Sequence, residues 1–262
     1  MSDTTRYNIG LSLGLGLIDE TKTLLSLWEP GMSGDELYRI ALDSGRLPTV
    51  SAYRLRNIVV RCFAPRYLTR GQKAAKHLKF LSSQISAAEL EQLMFIYTSR
   101  ANAIFGDFVR LLYWPRYTAG YTSISNEDAK LFIEKAIDLG KTEQQWSKET
   151  IRRMSGYLTG CCADYGLLER GRRSTRNIIP FRIAPFVVAF LAYELHFSGV
   201  SDNAILTNED WQLFGLTRED VLEEIKRLSL KGFVIVQKAG DLVHIAWKQQ
   251  HMEELCDVLI KS

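Results

Sequence analysis

Arginines and hydrogen-bonding side chains crowd around one tight turn in the second half of the chain. Gly171 sets the turn, between the apolar segments 167–168 and 178–181. Guanidinium, hydroxyl and amide groups are the donors that proteins use on phosphates and base edges. The members of this group are Arg170, Arg172, Arg173, Ser174, Thr175, Arg176 and Asn177. The composition of the turn predicts a contact with nucleic acid.

Two neighbouring elements add cations to the turn. Arg152 and Arg153 lie in the preceding helix, where a recognition helix is expected, and Arg182 follows the turn. No acidic residue occurs between Glu169 and Glu194. We interpret these arginines as nucleic-acid-binding; the alternative is a solvated loop whose charges are incidental.

A second basic segment covers residues 46–79, inside an acid-free stretch between Asp43 and Glu89. Its cations are Arg46, Arg54, Arg56, Arg61, Arg66, Arg70, Lys73, Lys76 and Lys79, of which all but Arg46 and Lys79 are candidate nucleic-acid contacts. Two alternatives stay open: a solvated helix face, or a face that pairs with acidic residues of the same fold or of an oligomer.

The segment 202–224 has the opposite charge. It holds seven acidic residues against the single Arg218. Glu219, Asp220, Glu223 and Glu224 lie on one predicted helix, where they would repel phosphate. A protein contact or a dimer interface suits this segment better than DNA.

Residue patterns for catalysis are missing from the sequence. The four histidines form no HExxH or HxH pair, the four cysteines form no CxxC pair, and there is neither a Walker A loop nor a GxSxG elbow. A phosphate loop at the glycine-rich residues 9–17 would need a preceding strand, so we expect a flexible lead-in or a close helix contact there. We predict a protein that is not an enzyme, with no catalytic residue, no cofactor and no metal site.

Length and composition predict an ordinary globular chain. It has 262 residues, 46% of them hydrophobic and 24% charged, with a net charge of +3. The most apolar stretch, residues 183–197, is shorter than the roughly 20 residues that a membrane span needs. We predict a cytoplasmic protein with no membrane contact and with reduced, mostly buried thiols.

Cap residues and apolar spacing predict successive helices in the first half. Ser33, Ser51, Ser86 and Ser125 are placed as N-caps, and Glu36 and Glu89 complete two capping boxes. One predicted helix ends near Pro65. Another runs from residue 90 to 112 and ends near Pro115.

A repeated pattern organises the second half. Gly166 and Gly232 each end an amphipathic helix, and a predicted hairpin follows each: 167–169 with 178–181, and 233–237 with 242–247. Pro180 predicts that the first returning strand lies at a sheet edge. Helices followed by a two-stranded wing are typical of winged helix-turn-helix units.

We therefore predict a mainly α fold with two short β-hairpins, the wings, in the C-terminal half. The predicted domains are a helical, helix-turn-helix-like N-terminal domain at residues 1–140, which contains the basic segment, and a C-terminal part at residues 141–262. The C-terminal part holds two winged-helix-like units, at about 141–197 and 198–262.

The first half also resembles a known family, the BrxA proteins of bacterial BREX phage-exclusion systems. The resemblance rests on residues 16–18, 20, 24–25, 34–37, 51 and 61–63, with a further similar stretch from 89–93 to 107–109. It implies a helical protein with helix-turn-helix-like parts that binds DNA. It also implies a small accessory component that works beside a methyltransferase, an AAA+ ATPase and a phosphatase-like protein. The family has no established enzymatic activity, so no catalytic residue is carried over.

Together these observations predict binding of double-stranded DNA with little sequence specificity, within a phage-defence complex. Two alternatives are an adaptor between proteins of that complex and a transcriptional regulator. A homo-oligomer is possible in each case, since a dimer interface is one interpretation of the acidic segment.

Overall fold

A computed structural model of the chain describes residues 6–142 and 144–261. Contacts divide it into two compact units. The first unit comprises residues 1–79 and 94–181, and the second comprises residues 80–93 and 182–262. This division differs from the predicted domains at 1–140 and 141–262, which stay a prediction.

The chain up to residue 177 is almost entirely helical. Short 3-10 helices cover Gly10–Leu13 and Arg70–Gln72, and π-helical segments cover Asn57–Phe63 and Val109–Tyr113. The α-helices and strands are α1 (Ile18–Leu27), α2 (Gly34–Ser44), α3 (Ala52–Arg56), α4 (Ala64–Tyr67), α5 (Lys73–Leu81), α6 (Ala87–Ala101), α7 (Ala103–Phe108), α8 (Trp114–Thr118), β1 (Ser123–Ser125), α9 (Asn126–Asp138), α10 (Lys148–Asp164) and β2 (Thr175–Asn177).

The remaining chain consists of helices around one hairpin. Its elements are α11 (Pro185–Phe197), α12 (Asp202–Leu206), α13 (Glu209–Gln212), α14 (Arg218–Leu230), β3 (Val234–Ala239), β4 (Leu242–Trp247) and α15 (Met252–Lys261). The predicted fold class, mainly α with two short antiparallel hairpins in the C-terminal half, is confirmed.

The predicted serine caps lie where the helices begin. The Ser33 hydroxyl accepts from the Glu36 N–H at 3.3 Å while the Glu36 carboxylate accepts from the Ser33 N–H at 2.7 Å, which is a complete capping box. Ser86 with Glu89 forms the same reciprocal pair, and Ser51 and Ser125 also cap their helices. These local side-chain bonds explain why the helix starts were readable from sequence.

The prolines do not end helices as predicted. Residues 52–67 run as continuous helix past Pro65, and residues 103–118 run past Pro115. A π-helical segment precedes each proline: the Ala64 N–H donates to the Val59 carbonyl and the Trp114 N–H to the Val109 carbonyl, five residues back. Proline has no N–H to donate to the carbonyl four residues before it. With hydrogen bonds that span five residues, carbonyls before the proline can accept from neighbouring N–H groups instead. The predicted helix from 90 to 112 is instead broken at Asn102, whose φ and ψ are −132° and 86°.

A small sheet lies at the base of the first hairpin, which we define as residues 167–179. β2 pairs antiparallel with β1, and on the other side Leu168 bridges Ile178. The returning strand is therefore in the middle, and the edge position predicted from Pro180 is wrong. The last hydrogen bond of this ladder joins the Ile179 N–H to the Leu167 carbonyl at 3.0 Å. Pro180 follows it, so the N–H that proline lacks removes no hydrogen bond from the sheet.

The second hairpin, residues 234–247, has no strand on its outer side among the residues that the structure describes. Side chains of α12 take that place. The Asp202 carboxylate accepts from the Ile245 N–H at 2.8 Å, and the Asn203 side chain accepts from the Val243 N–H at 3.3 Å. Backbone donors at the edge of β4 are thereby satisfied.

Burial accounts for the thiols and for the most apolar helix. Cys62, Cys161, Cys162 and Cys256 are buried and free, as predicted. Burial raises the pKa of each thiol, that of Cys256 to about 12, so all four stay protonated at neutral pH. No helix in the described part of the chain, α11 included, combines the length and the apolar character that crossing a membrane requires.

Candidate nucleic-acid interface

The tip of the first hairpin, residues 170–174, is held out into solvent by a buried base. Leu167 and Leu168 are fully buried, and the Glu169 N–H donates to the Asn177 carbonyl at 2.8 Å. All five tip residues are exposed. Gly171, with φ of +130°, lets the chain reverse within this short tip.

Three arginines of the tip present their guanidinium groups to solvent. Arg170 donates to the Asp164 carbonyl at 3.2 Å, and Arg173 lies 3.6 Å from the Glu169 carboxylate with 69% of its side chain exposed. Arg172 has no partner among the described residues. Exposed ion pairs of this kind are weak, so a phosphate can compete for these donors.

Arg176 and Arg182 are not part of this exposed group. Arg176 lies on the middle strand, half-buried, where one nitrogen donates to the Glu169 carbonyl at 3.1 Å and its Nε is buried without a partner. Arg182 belongs to the second unit. The structure therefore gives Arg176 a role in holding the hairpin together, and the contact of Arg182 with nucleic acid stays a prediction.

Helix α10 leads directly into the hairpin and carries two exposed arginines. The Arg152 guanidinium donates two hydrogen bonds to the Glu149 carboxylate, at 2.8 and 2.7 Å. This bidentate pair lowers the pKa of the Glu149 carboxyl. Arg153 donates to the Tyr157 hydroxyl at 3.0 Å. Lys148, which was not predicted as a contact, is an exposed cation in the first turn of α10, and its position four residues before Arg152 was the available signal.

Arg66 is the clearest departure from the predicted set of contacts. It is 4% exposed, and its terminal nitrogens donate to the carbonyls of Gly16 at 3.3 Å and of Gly14 at 2.7 Å. A guanidinium occupied in this way cannot reach a phosphate on the surface. Its role is to hold the N-terminal segment against the helix at residues 52–67.

The glycine-rich segment is a close packing contact, one of the two alternatives expected from sequence. A Cβ on Gly16 would lie 2.7 Å from the Asp164 Cβ, and one on Gly14 would lie 2.3 Å from the Leu17 Cδ1. The Gly16 N–H donates to the Asp164 carboxylate at 2.9 Å. Burial raises the pKa of Asp164, and this N–H opposes the shift. Because this carboxylate already accepts from the Gly16 N–H, that N–H is not presented to a phosphate.

The other candidate contacts of the basic segment are exposed, with different partners. Arg54 donates to the Leu13 carbonyl, Arg56 lies 3.6 Å from Asp35, and Arg61 lines a pocket beside Arg66. Arg70, Lys73 and Lys76 are exposed near a left-handed turn in which Arg70, Gly71 and Gln72 have φ of +50°, +71° and +61°. The Gln72 side chain holds this turn through bonds to the Gly31 N–H and the Met32 carbonyl, at 2.9 and 2.8 Å.

The acidic residues of the second unit are largely used within that unit. Asp220 caps α14 together with Thr217, Glu223 pairs with Lys226 at 2.7 Å, and Glu224 pairs with Arg227 at 2.5 Å. Asp202 binds β4, as described above. The acidic excess of this segment is therefore smaller on the surface than in the sequence.

Comparisons with known proteins identify a family and a relative of similar fold. The sequence profile of the BrxA family matches residues 5–194. An uncharacterized protein from Magnetospirillum magneticum, known from a crystal structure, superposes with a TM-score of 0.59 at 14% sequence identity, covering 73% of this chain and 95% of that one. No curated protein sequence matches the chain.

The superposition supports the fold alone at such low identity, whereas the family match covers well over half of the chain. It also contains the whole first hairpin, helix α10 and the glycine-rich segment. The chain belongs to the BrxA family and is thereby a component of a BREX phage-defence system.

Proposed function

We propose that the protein is a non-enzymatic component of its phage-defence system that binds duplex DNA through α10 and the first hairpin. Binding has little sequence specificity, because the available side chains are mainly arginines on a short tip and at a helix start. Such groups contact the phosphate backbone, which is the same at every sequence.

The order of elements supports a winged helix-turn-helix interpretation of the first unit. Helix 103–118, strand β1, helices α9 and α10 and then the first hairpin follow one another in the chain. In that interpretation α10 enters the major groove by its N-terminal residues, and the hairpin tip lies against the flanking backbone. The elements begin before residue 141, earlier than the first winged unit expected from sequence.

The observation that carries the proposal is the exposure of Arg170, Arg172 and Arg173 on one short tip. Arg152 and Arg153, two exposed cations on α10, lie on the helix that directly precedes this hairpin. The remaining candidates, Arg54, Arg56, Arg61, Arg70, Lys73 and Lys76, would extend the same backbone contact. Arg66 and Arg176 are left out of it.

A salt titration of duplex binding tests the proposal. Each phosphate contact contributes about −0.9 to the log–log slope of affinity against salt. Changing Arg170, Arg172 and Arg173 to Ala should make the slope less negative by about 2.7 and weaken binding at low salt on the order of 100-fold. The matched control changes three exposed cations of the second unit, Lys226, Lys238 and Lys248, to Ala. Its slope should differ from that of the wild-type protein by less than about 0.9, the value of one phosphate contact.

An unchanged slope in the hairpin variant, with the protein still folded, would contradict the proposal. One strongly preferred sequence in a binding selection would instead indicate a transcriptional regulator. We place the protein in the cytoplasm, in keeping with its four free thiols, and among the other proteins of the defence system.

A further inference from the structure

The second unit contains a pocket whose charge is opposite to that of its surroundings. The pocket has a volume of about 520 Å³ and is formed by the start of α11 and one face of α14. Glu224, Arg227 and Leu228 of α14 and Lys231, directly after its end, line the pocket and share one face because they are three or four residues apart. The α11 side consists of Arg182, Ile183, Pro185 and Val188.

Cations dominate the rim of this pocket. Arg182, Arg227 and Lys231 are exposed. The one acid in the lining, Glu224, is already bonded to Arg227 at 2.5 Å and keeps only 16% of its side chain exposed. The rim therefore has a net positive charge, although the 202–224 segment as a whole is acidic.

The floor of the pocket is apolar and its wall is fixed. Ile183, Val188 and Leu228 are buried beneath the rim. The Gln92 side-chain amide clamps the wall: its nitrogen donates to the Arg182 carbonyl at 2.8 Å, and its oxygen accepts from the Ala184 N–H at 2.8 Å. The first turn of α11 has no side-chain cap, so its partial positive charge adds to that of the rim.

We propose that this pocket binds a short segment of a partner protein that carries leucine-like side chains flanked by carboxylates. The cations pair with the carboxylates, and the apolar floor buries the aliphatic side chains. The volume fits a few side chains. Duplex DNA would use the cations but would leave the apolar floor uncovered, so a peptide matches the pocket better. The inference is independent of DNA binding by the first hairpin.

The test uses the full chain and a fluorescein-labelled twelve-residue peptide with two central leucines flanked on both sides by Asp and Glu. Fluorescence anisotropy should show saturable binding. Arg182→Glu with Lys231→Glu should weaken it by at least about ten-fold. The matched control, Lys226→Glu with Lys238→Glu, reverses two charges of the same unit outside the pocket and should change affinity less than about two-fold.

Three further arms separate the possible ligands. Replacing both leucines of the peptide by serine keeps every carboxylate and should weaken binding by at least about ten-fold, because the apolar contact is lost. The variant with Arg170, Arg172 and Arg173 changed to Ala should bind the peptide as wild type does, so the hairpin is not the peptide site. A twelve-base-pair duplex should not displace the peptide.

Several outcomes would overturn the inference. They are the absence of saturable binding by the wild-type protein, equal binding of the serine peptide, and equal binding by the Arg182→Glu, Lys231→Glu variant. Displacement by the duplex, lost in that same variant, would make the pocket a nucleic-acid surface. None of these results bears on the salt slope of the first hairpin, so the two proposals fail separately.

Discussion

The two hairpins of the chain share a backbone plan and differ in what they present to solvent. Each follows a helix that ends at a glycine with positive φ, +79° at Gly166 and +81° at Gly232. The first hairpin is supported by a neighbouring strand and has three exposed arginines at its tip. The second is supported by Asp202 and Asn203, and its tip holds the charges of Lys238 and Asp241.

The helices before the hairpins differ in the same way. Counted back from the glycine that ends each helix, Arg153 of α10 and Glu219 of α14 hold the same position, thirteen residues earlier. One side chain attracts phosphate and the other repels it. A repeated backbone pattern in this chain therefore presents different side chains at corresponding positions, and we expect the exposed side chains to decide what each hairpin binds.

The largest expected difference between the hairpins is in DNA affinity. Arg153→Glu with Arg172→Glu places negative charge where we propose phosphate contacts, and should weaken duplex binding on the order of 100-fold or more. Lys226→Glu with Lys238→Glu reverses two charges on α14 and the second hairpin, and should cost less than about three-fold. Electrophoretic mobility shifts at one fixed salt concentration measure both. Equal losses would mean that both hairpins meet DNA.

The second-largest expected effect is on the free energy of unfolding, and it comes from the side chains that support the second hairpin. The Asp202 carboxylate accepts from the Ile245 N–H at 2.8 Å and from the Trp247 indole at 3.2 Å. Asp202→Ala leaves these donors without an acceptor and should lower the free energy of unfolding by about 2–3 kcal/mol. Asp202→Asn keeps one oxygen and should cost less. Urea unfolding measures both, and a loss below about 0.5 kcal/mol in the alanine variant would show that water replaces the carboxylate.

The two glycines predict a smaller and matched effect. Gly166→Ala and Gly232→Ala meet no crowding, since a Cβ there has no atom nearer than the Lys248 Nζ at 3.7 Å. The positive φ alone should cost each variant about 1–2 kcal/mol of unfolding free energy. Gly156→Ala inside α10 is the control and should be neutral or stabilising by up to about 1 kcal/mol. Unequal losses at 166 and 232 would break the equivalence of the two turns.

The smallest expected effect is a pH dependence confined to the second unit. His196 stacks on Trp247, with ring centroids 4.4 Å apart, and burial lowers its pKa while Asp202 opposes the shift. The unfolded chain therefore binds the proton more readily than the folded chain. The free energy of unfolding is highest above the ordinary histidine pKa of about 6.5 and declines as the pH falls below that value. The urea midpoint should drop between pH 7.5 and 5.5, and less so in His196→Gln. An identical drop in that variant would assign the effect to other groups.

Local signals in the sequence predicted much of the fold. Caps at Ser33 and Ser125, glycine helix ends and the alternation in residues 242–247 act within a few residues, so they are readable directly. The departures came from longer-range features. β1 is three residues long and exists because β2 pairs with it, some fifty residues later. The π-helical segments before Pro65 and Pro115 likewise have no local sequence signal that we could use.

The sequence predicted that exposed arginines would cluster at the first hairpin, but it did not predict which of the candidate residues are exposed. Arg170, Arg172 and Arg173 are exposed, as their position beside a glycine turn predicts. Arg66 looks equivalent to Arg61 in the sequence, but Arg66 is buried because the Gly14 and Gly16 carbonyls lie against it. Only the tertiary structure separates a structural arginine from a surface one.

The anchoring of the glycine-rich segment has a consequence for the timing of folding during synthesis. Gly16 bonds to Asp164 and Tyr165, which lie 148 and 149 residues further along the chain. At a translation rate of roughly 5–20 residues per second, those partners are made about 7–30 s after Gly16 itself. The N-terminal segment can therefore dock first on the helix at residues 52–67 through Arg66, and its bonds to the end of α10 complete the first unit only after that helix has emerged from the ribosome.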